Sequence, residues 1–163
     1  MTAELMTPEH LFRELEDLRP YEIKTIHKLV EALKRTRDGR LAYIEALMDF
    51  QRLGFDKEKG AYVHRMLIKE ELMNRYNILH GGITATFIDT AMASSIFQEL
   101  GEEAKVVTAD LSVRFLSPGI KGCLTAYTNV VKKGKTIIVL ESKVEDERKR
   151  KIATASSTFF RIQ

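Results

Sequence analysis

One cysteine, Cys123, occurs in 163 residues. No internal disulfide can form, and a reducing cytoplasm is the expected setting. Cys/His spacing of the zinc-ligand kind is missing too, so neither a structural zinc site nor any other metal is expected. No uninterrupted apolar run is long enough to cross a bilayer, and no membrane partner is expected. The first twenty residues, MTAELMTPEHLFRELEDLRP, are acidic and amphipathic and lack the basic-then-apolar layout of a secretory signal. There is no Gly-x-Ser-x-Gly elbow for a serine hydrolase and no glycine-rich loop to cradle nucleotide phosphates. Internal repeats and low-complexity tracts are absent. A net charge of +3 is too mild to imply nucleic acid.

What is present is an ordinary globular composition, 44% hydrophobic and 30% charged, enough for one domain and an extension. Residues 7 to about 54 read as helical. Thr7-Pro8-Glu9 offers an N-cap followed by proline at the first helical position. Leu11, Leu15 and Leu18 repeat at helical spacing until Pro20. A second helix carries Ile23, Ile26, Leu29, Val30 and Leu33 on one face and breaks at Asp38-Gly39. A third carries Leu41, Ile44, Leu47, Met48 and Leu53. The domain boundary is expected between residues 56 and 57, with a helical extension over 1–56 and the main domain over 57–163.

Beyond Gly60 the texture changes to strands. Residues 61–69 read as the first. A helix over roughly 82–100 ends at Gly101. Val107, Ala109, Leu111, Val113 and Phe115 then alternate with Thr108, Asp110, Ser112 and Arg114, the mark of a strand with one apolar and one polar face. Ser117-Pro118-Gly119 stops it. Strands over 122–131 and 135–145 meet at Lys133-Gly134, a hairpin signal, and a last strand covers about 151–161. The expected order is one strand, one long helix, then four strands in a meander. A helix apolar all round needs a sheet curved about it, and an oligomer is a natural cover for the sheet's second face.

The densest signal is NRYNILHGGITATFIDTAMA, residues 74–93. Gly81 and Gly82 can open a helix whose first N–H groups lack helical partners; these and the helix dipole attract a developing negative charge. Asp89 lies two turns further in. Its helical neighbours are Ala85, Thr86, Met92 and Ala93, and Ile83, Phe87, Ile88, Ala91, Ile96, Phe97 and Leu100 surround the rest of the helix. A carboxylate expected in such a setting is more easily explained by chemistry than by folding. The plainer alternative is a tight turn followed by an acid that faces solvent.

Two basic groups sit between strand-like runs: Lys132, Lys133 and Lys135, and Arg148 through Lys151. Either group can be a solvated hairpin tip or a contact for an anionic ligand's phosphates. His10 and His27 fall in the helical extension, and His64 falls on a strand with a structural role.

The strand–helix–strand order and the spacing Asn74, His80-Gly81-Gly82, Asp89 resemble the hotdog-fold acyl-CoA thioesterases, in particular the phenylacetate-pathway (PaaI-like) branch. Phe115-Leu116-Ser117-Pro118 and Lys133-Gly134-Lys135 add to the likeness, which spans roughly residues 60–163. It implies an α+β hotdog fold, a curved antiparallel sheet around one long buried helix, paired in a homodimer or a dimer of dimers. It further implies an acyl-CoA substrate, coenzyme A only as part of that substrate, and a site shared between subunits. There the Gly81 N–H and Asn74 would polarise the thioester carbonyl and His80 would orient the pocket. Asp89 from the other subunit would act as general base or nucleophile, and Thr108 would position water where family members commonly carry serine. Gly82, Lys133, Gly134 and Lys135 would bind the substrate. The chain departs from the family in two places: Asp146-Glu147-Arg148-Lys149 lacks the glycine usual in that turn, and the helical extension is long. The alternative is a non-catalytic acyl-CoA sensor acting as a regulator, with Lys34, Arg35, Arg37 and Arg40 able to meet DNA phosphates. A hotdog dehydratase needs a differently placed histidine.

Overall fold

The computed structural model describes residues 7–37, 39 and 41–162; Asp38 and Arg40, placed above in a helix break and a basic cluster, lie outside them. The chain divides into two compact units, Met1–Ala46 and Leu47–Gln163. The first is helical. Helix α1 spans Pro8–Glu16, with the Thr7 side chain accepting the His10 N–H. Helix α2 spans Pro20–Arg35: Pro20 opens this helix at its first position, where a missing N–H costs nothing. The Glu22 carboxylate reaches back and accepts the Arg19 N–H at 2.8 Å, satisfying the backbone at the N-cap.

Helix α3, Tyr43–Leu47, is one short turn and a half, and the helical reading to residue 54 is corrected there. Asp49 takes a left-handed φ of 50°, which ends the helix. The chain then enters strand β1, Gln51–Asp56. β1 pairs antiparallel with β2, Ala61–Leu67, from Gln51↔Arg65 to Asp56↔Ala61. The sheet therefore begins before residue 57, and two strands precede the long helix.

That helix, α4, runs Gly81–Leu100 and is capped by Gly101 at φ 101°. β3 (Val106–Phe115), β4 (Cys123–Lys133), β5 (Ile137–Asp146) and β6 (Lys151–Arg161) follow. The sheet order is β1-β2-β4-β5-β6-β3. Only β4, β5 and β6 form a meander; β3 crosses to the far edge and pairs with β6, which corrects the expected four-strand meander. Phe87, Ile88, Met92 and Ile96 of α4 pack into a core with Met66, Leu124, Ala126, Leu140, Val144 and Phe159 of the sheet. This is the hotdog arrangement of one long helix against a curved antiparallel sheet.

The turn between β5 and β6 works without glycine. Lys149 takes φ 63°. Asp146 stabilises the turn, its Oδ1 accepting the N–H groups of Arg148 and Arg150, both at 2.9 Å.

Candidate active site

α4 is not enclosed all round within this chain. Thr84, Phe87, Ile88, Ala91, Met92, Ser94, Ser95 and Ile96 are buried, while Ala85, Thr86, Asp89, Thr90, Ala93 and Phe97 form a half-buried stripe. Asp89 stands on that stripe. A half-buried Asp89 departs, for the single chain, from the expectation of a helix enclosed all round.

Its hydrogen-bond donor is Thr108. The Thr108 hydroxyl donates to Asp89 Oδ1 at 2.8 Å. Simple alternation puts Thr108 on the polar face of β3, pointing away from the helix. The β3–β6 register shifts between Thr108 and Asp110, so Ala109 is an extra residue and β3 carries a bulge. The bulge flips the parity of the strand. Val106 and Thr108 face α4 before it; Leu111 and Val113 pack on the core after it.

At the helix N-terminus, His80 Nδ1 accepts the Gly82 N–H at 3.1 Å. The imidazole proton is thereby left on Nε2, which can donate outward. Among the described residues no acceptor meets the Gly81 N–H. The Phe115 ring lies over Gly81, and a Cβ built there would stand 3.4 Å from the ring edge, an ordinary contact. Gly81 has no left-handed φ. The fold therefore does not demand glycine at this position, and close approach of a ligand to the backbone remains as a reason for it. Asn74 uses Oδ1 to accept the Tyr76 N–H at 2.9 Å, shaping the loop before the helix; its amide N–H₂ is the donor left over.

The basic residues separate into distinct roles. Lys133 is ion-paired with Glu99 near the end of α4 at 2.6 Å. The same carboxylate accepts the Tyr62 hydroxyl. Together Lys133 and Tyr62 hold the Glu99 carboxyl below its ordinary range. Burial and the Glu99 charge push the Tyr62 phenol up to about 12. Lys135 instead lines a hollow of about 390 Å³ with Thr136, Phe160, Arg161 and Ile162. Sequence reasoning missed Arg161, whose N–H is bonded to Thr136 O at 2.8 Å; only the β5–β6 register brings it beside the hairpin. Gly134 is sterically required, because a Cβ there would stand 2.7 Å from the Ile137 carbonyl oxygen. Arg150 is held by Asp146 and by the Pro118 carbonyl, so this member of the second cluster braces a turn. Among the described residues no group of three His, Cys, Asp or Glu side chains is placed to hold a metal, and no helix is long and apolar enough to cross a membrane.

Residues 76–153 match the Thioesterase superfamily, a span that holds α4, β3, β4 and β5 of the fold just described. It is 34% identical over 82 residues to human acyl-coenzyme A thioesterase 13, covering 48% of this chain and 56% of that protein. It spans 63% of a Saccharolobus solfataricus relative at 36% identity, so these matches cover less than two thirds of each relative's length. The crystal structure of the BH2602 protein from Bacillus halodurans with CoA superposes with a TM-score of 0.82 at 28% identity, covering 96% of this chain and 100% of that one. The PaaI protein of the E. coli phenylacetic acid degradation operon shares the fold, with a TM-score of 0.66 at 22% identity over 84% of this chain and 95% of that one.

Proposed function

We propose that this chain is an acyl-CoA thioesterase that hydrolyses the thioester to a free acid and coenzyme A. The observation that carries the reading is the Asp89–Thr108 pair on the open stripe of α4. Two copies are needed to build the site. Asp89 is eight residues from Gly81, about 12 Å along the helix, too far for both to serve one carbonyl. A second copy placing its Gly81 N–H opposite Asp89 resolves this, as a homodimer or a dimer of dimers. The half-buried stripe of α4 then becomes interface.

In such a site the Gly81 N–H, at the positive end of α4, stabilises the oxyanion that forms when water attacks the thioester carbon. A single donor of this kind contributes on the order of 3 kcal/mol. Asn74 and His80 Nε2 are placed on the same loop and cap to add polar donors. Asp89 acts as general base on the water or as nucleophile, held in orientation by Thr108. Gly82 allows close approach of the substrate, Gly134 keeps the hairpin tight beside the substrate, and Lys135 with Arg161 meets coenzyme A phosphates, Lys133 helping at the rim. The reading needs no cofactor beyond the coenzyme A of the substrate, and it fits a cytoplasmic enzyme. The CoA-bound Bacillus halodurans relative and the human acyl-CoA thioesterase support the substrate class.

The test is a panel of acyl-CoA esters with free thiol as readout, on wild type and Asp89→Asn. Hydrolysis by wild type and a loss of a hundredfold or more in the variant are expected, the scale of losing a base. Binding of CoA esters without turnover would instead make the chain a sensor.

A further inference from the structure

We propose that Ser157 is a positioning residue for Asp89, acting through the bulge in β3; this rests on the thioesterase reading above. Ser157 lies on β6 opposite Leu111, on the helix-facing side with Ala155 and Phe159, and is 2% exposed. Its hydroxyl donates to the Asp110 carbonyl oxygen at 2.5 Å. Asp110 is the first residue to regain the ladder after the bulge, where the pairing resumes at Thr158.

The bulge decides which way Thr108 points. A one-residue slip of a strand sends every side chain to the opposite face. With Ala109 looped out, Thr108 faces α4 and reaches Asp89; with Ala109 drawn into the ladder, Thr108 would turn to the outer face and the 2.8 Å bond could not form. A bulge leaves a residue outside the ladder, so its position needs an anchor that the ladder does not supply. Ser157 supplies one from a neighbouring strand: a buried hydroxyl satisfied by the backbone at the bulge itself. A buried polar group of this kind specifies one arrangement over its neighbours. Ser157 touches neither the substrate nor Asp89, and it works by holding β3 in the register that aims Thr108.

The experiment compares Ser157→Ala, Thr108→Val and the double variant by steady-state hydrolysis, with a crystal structure of Ser157→Ala. Ser157→Ala is expected to lower kcat about ten- to a hundredfold, the scale of a small misplacement, with KM changed less than about twofold. The double variant should lose no more than Thr108→Val alone, because both act on one bond. The structure should show Thr108 Oγ1 beyond hydrogen-bond reach of Asp89. Ser157→Cys, close in volume and a weak donor, carries the same test if the alanine variant does not fold. Wild-type kcat in Ser157→Ala beside an inactive Asp89→Asn would leave the thioesterase reading standing and overturn this inference, as would additive losses. A wild type inactive on every thioester would remove the thioesterase reading. The Ser157→Ala structure then still decides the point, because an intact Thr108–Asp89 bond overturns the role of Ser157.

Discussion

Thr108 on β3 donates its hydroxyl hydrogen to Asp89 on α4, oxygen to oxygen 2.8 Å. The bond joins the sheet's edge strand to the helix at the one carboxylate of the open stripe. Thr108→Val keeps the β-branched shape that suits a strand and removes the donor. A hydrogen bond to a charged group contributes about 1.5–3 kcal/mol. The variant should therefore lose at least about tenfold in kcat, while Thr108→Ser keeps most of the activity. Equal kcat values for wild type and Thr108→Val would show that the hydroxyl does not orient the acid.

Gly81 offers a separation of stability from activity. A methyl group there would meet the Phe115 ring at ordinary contact distance, and alanine is a better helix former than glycine. Gly81→Ala should thus unfold at the same or slightly higher temperature. The same methyl would stand beside the N–H assigned to the oxyanion, so kcat/KM should fall by about tenfold or more. Thermal melts and hydrolysis rates on one preparation check both halves. A destabilised variant would mean that the glycine serves the fold.

Lys149 at the β5–β6 turn holds φ 63°. A side chain in the left-handed region costs roughly 1–2 kcal/mol that glycine avoids, offset in part by the greater freedom of glycine when unfolded. Lys149→Gly should raise stability by about 0.5–1 kcal/mol in denaturant titrations, with hydrolysis unchanged. This is also the turn whose missing glycine makes the sequence look irregular: Asp146 accepts the surrounding N–H groups and keeps it closed.

Lys135 and Lys133 should not behave alike. Lys135 faces the hollow with Arg161, and Lys135→Ala should raise KM several-fold for acyl-CoA and leave kcat nearly unchanged. Lys133 is committed to Glu99, which also accepts the Tyr62 hydroxyl, so Lys133→Ala disturbs a network at the end of α4 as well as any phosphate contact. Substrate titration with a CoA ester and with its shorter pantetheine thioester separates the two. Loss of the KM effect on the phosphate-poor thioester is the expected result for Lys135→Ala.

The strands from β2 onward and the extent of α4 were legible, because alternation, glycine positions and the Lys133-Gly134 turn are local signals. β1 was not. Leu47, Met48 and Leu53 fit a helical spacing, and nothing local reveals that Asp49 turns left-handed. The motif residues from Asn74 to Asp89 were legible as a spacing, yet the solvent side of α4 was hidden, since helical neighbours carry no information on which face meets the sheet. Thr108 came to the site through the resemblance alone, since strand alternation puts it with the polar residues of β3. A one-residue bulge leaves the apolar–polar alternation unbroken while it reverses which face is which. Pairings made by tertiary contact, such as Lys133 with Glu99, leave no trace in either residue's neighbours.

His64 sets a pH limit on stability. The ring is fully buried between β2 and α4, with Nε2 2.9 Å from Ser94 Oγ and 3.1 Å from Gln98 Nε2, and it stacks on Phe50 at 5.3 Å. Burial, helped by the charge of Arg52, lowers its pKa from 6.5 to about 4. The folded state therefore holds the neutral ring where the unfolded chain would take up a proton. Above pH 6.5 both states are neutral and the term is constant. As pH falls from 6.5 toward 4 the unfolded chain is protonated first, and stability drops by about 3 kcal/mol over that window. Denaturant titrations at pH 7 and pH 4.5 on wild type and His64→Gln isolate the term, because the carboxylates titrate alike in both. Wild type should lose about 2–3 kcal/mol more than the variant on acidification. Parallel losses would mean that the ring is protonated in the folded protein.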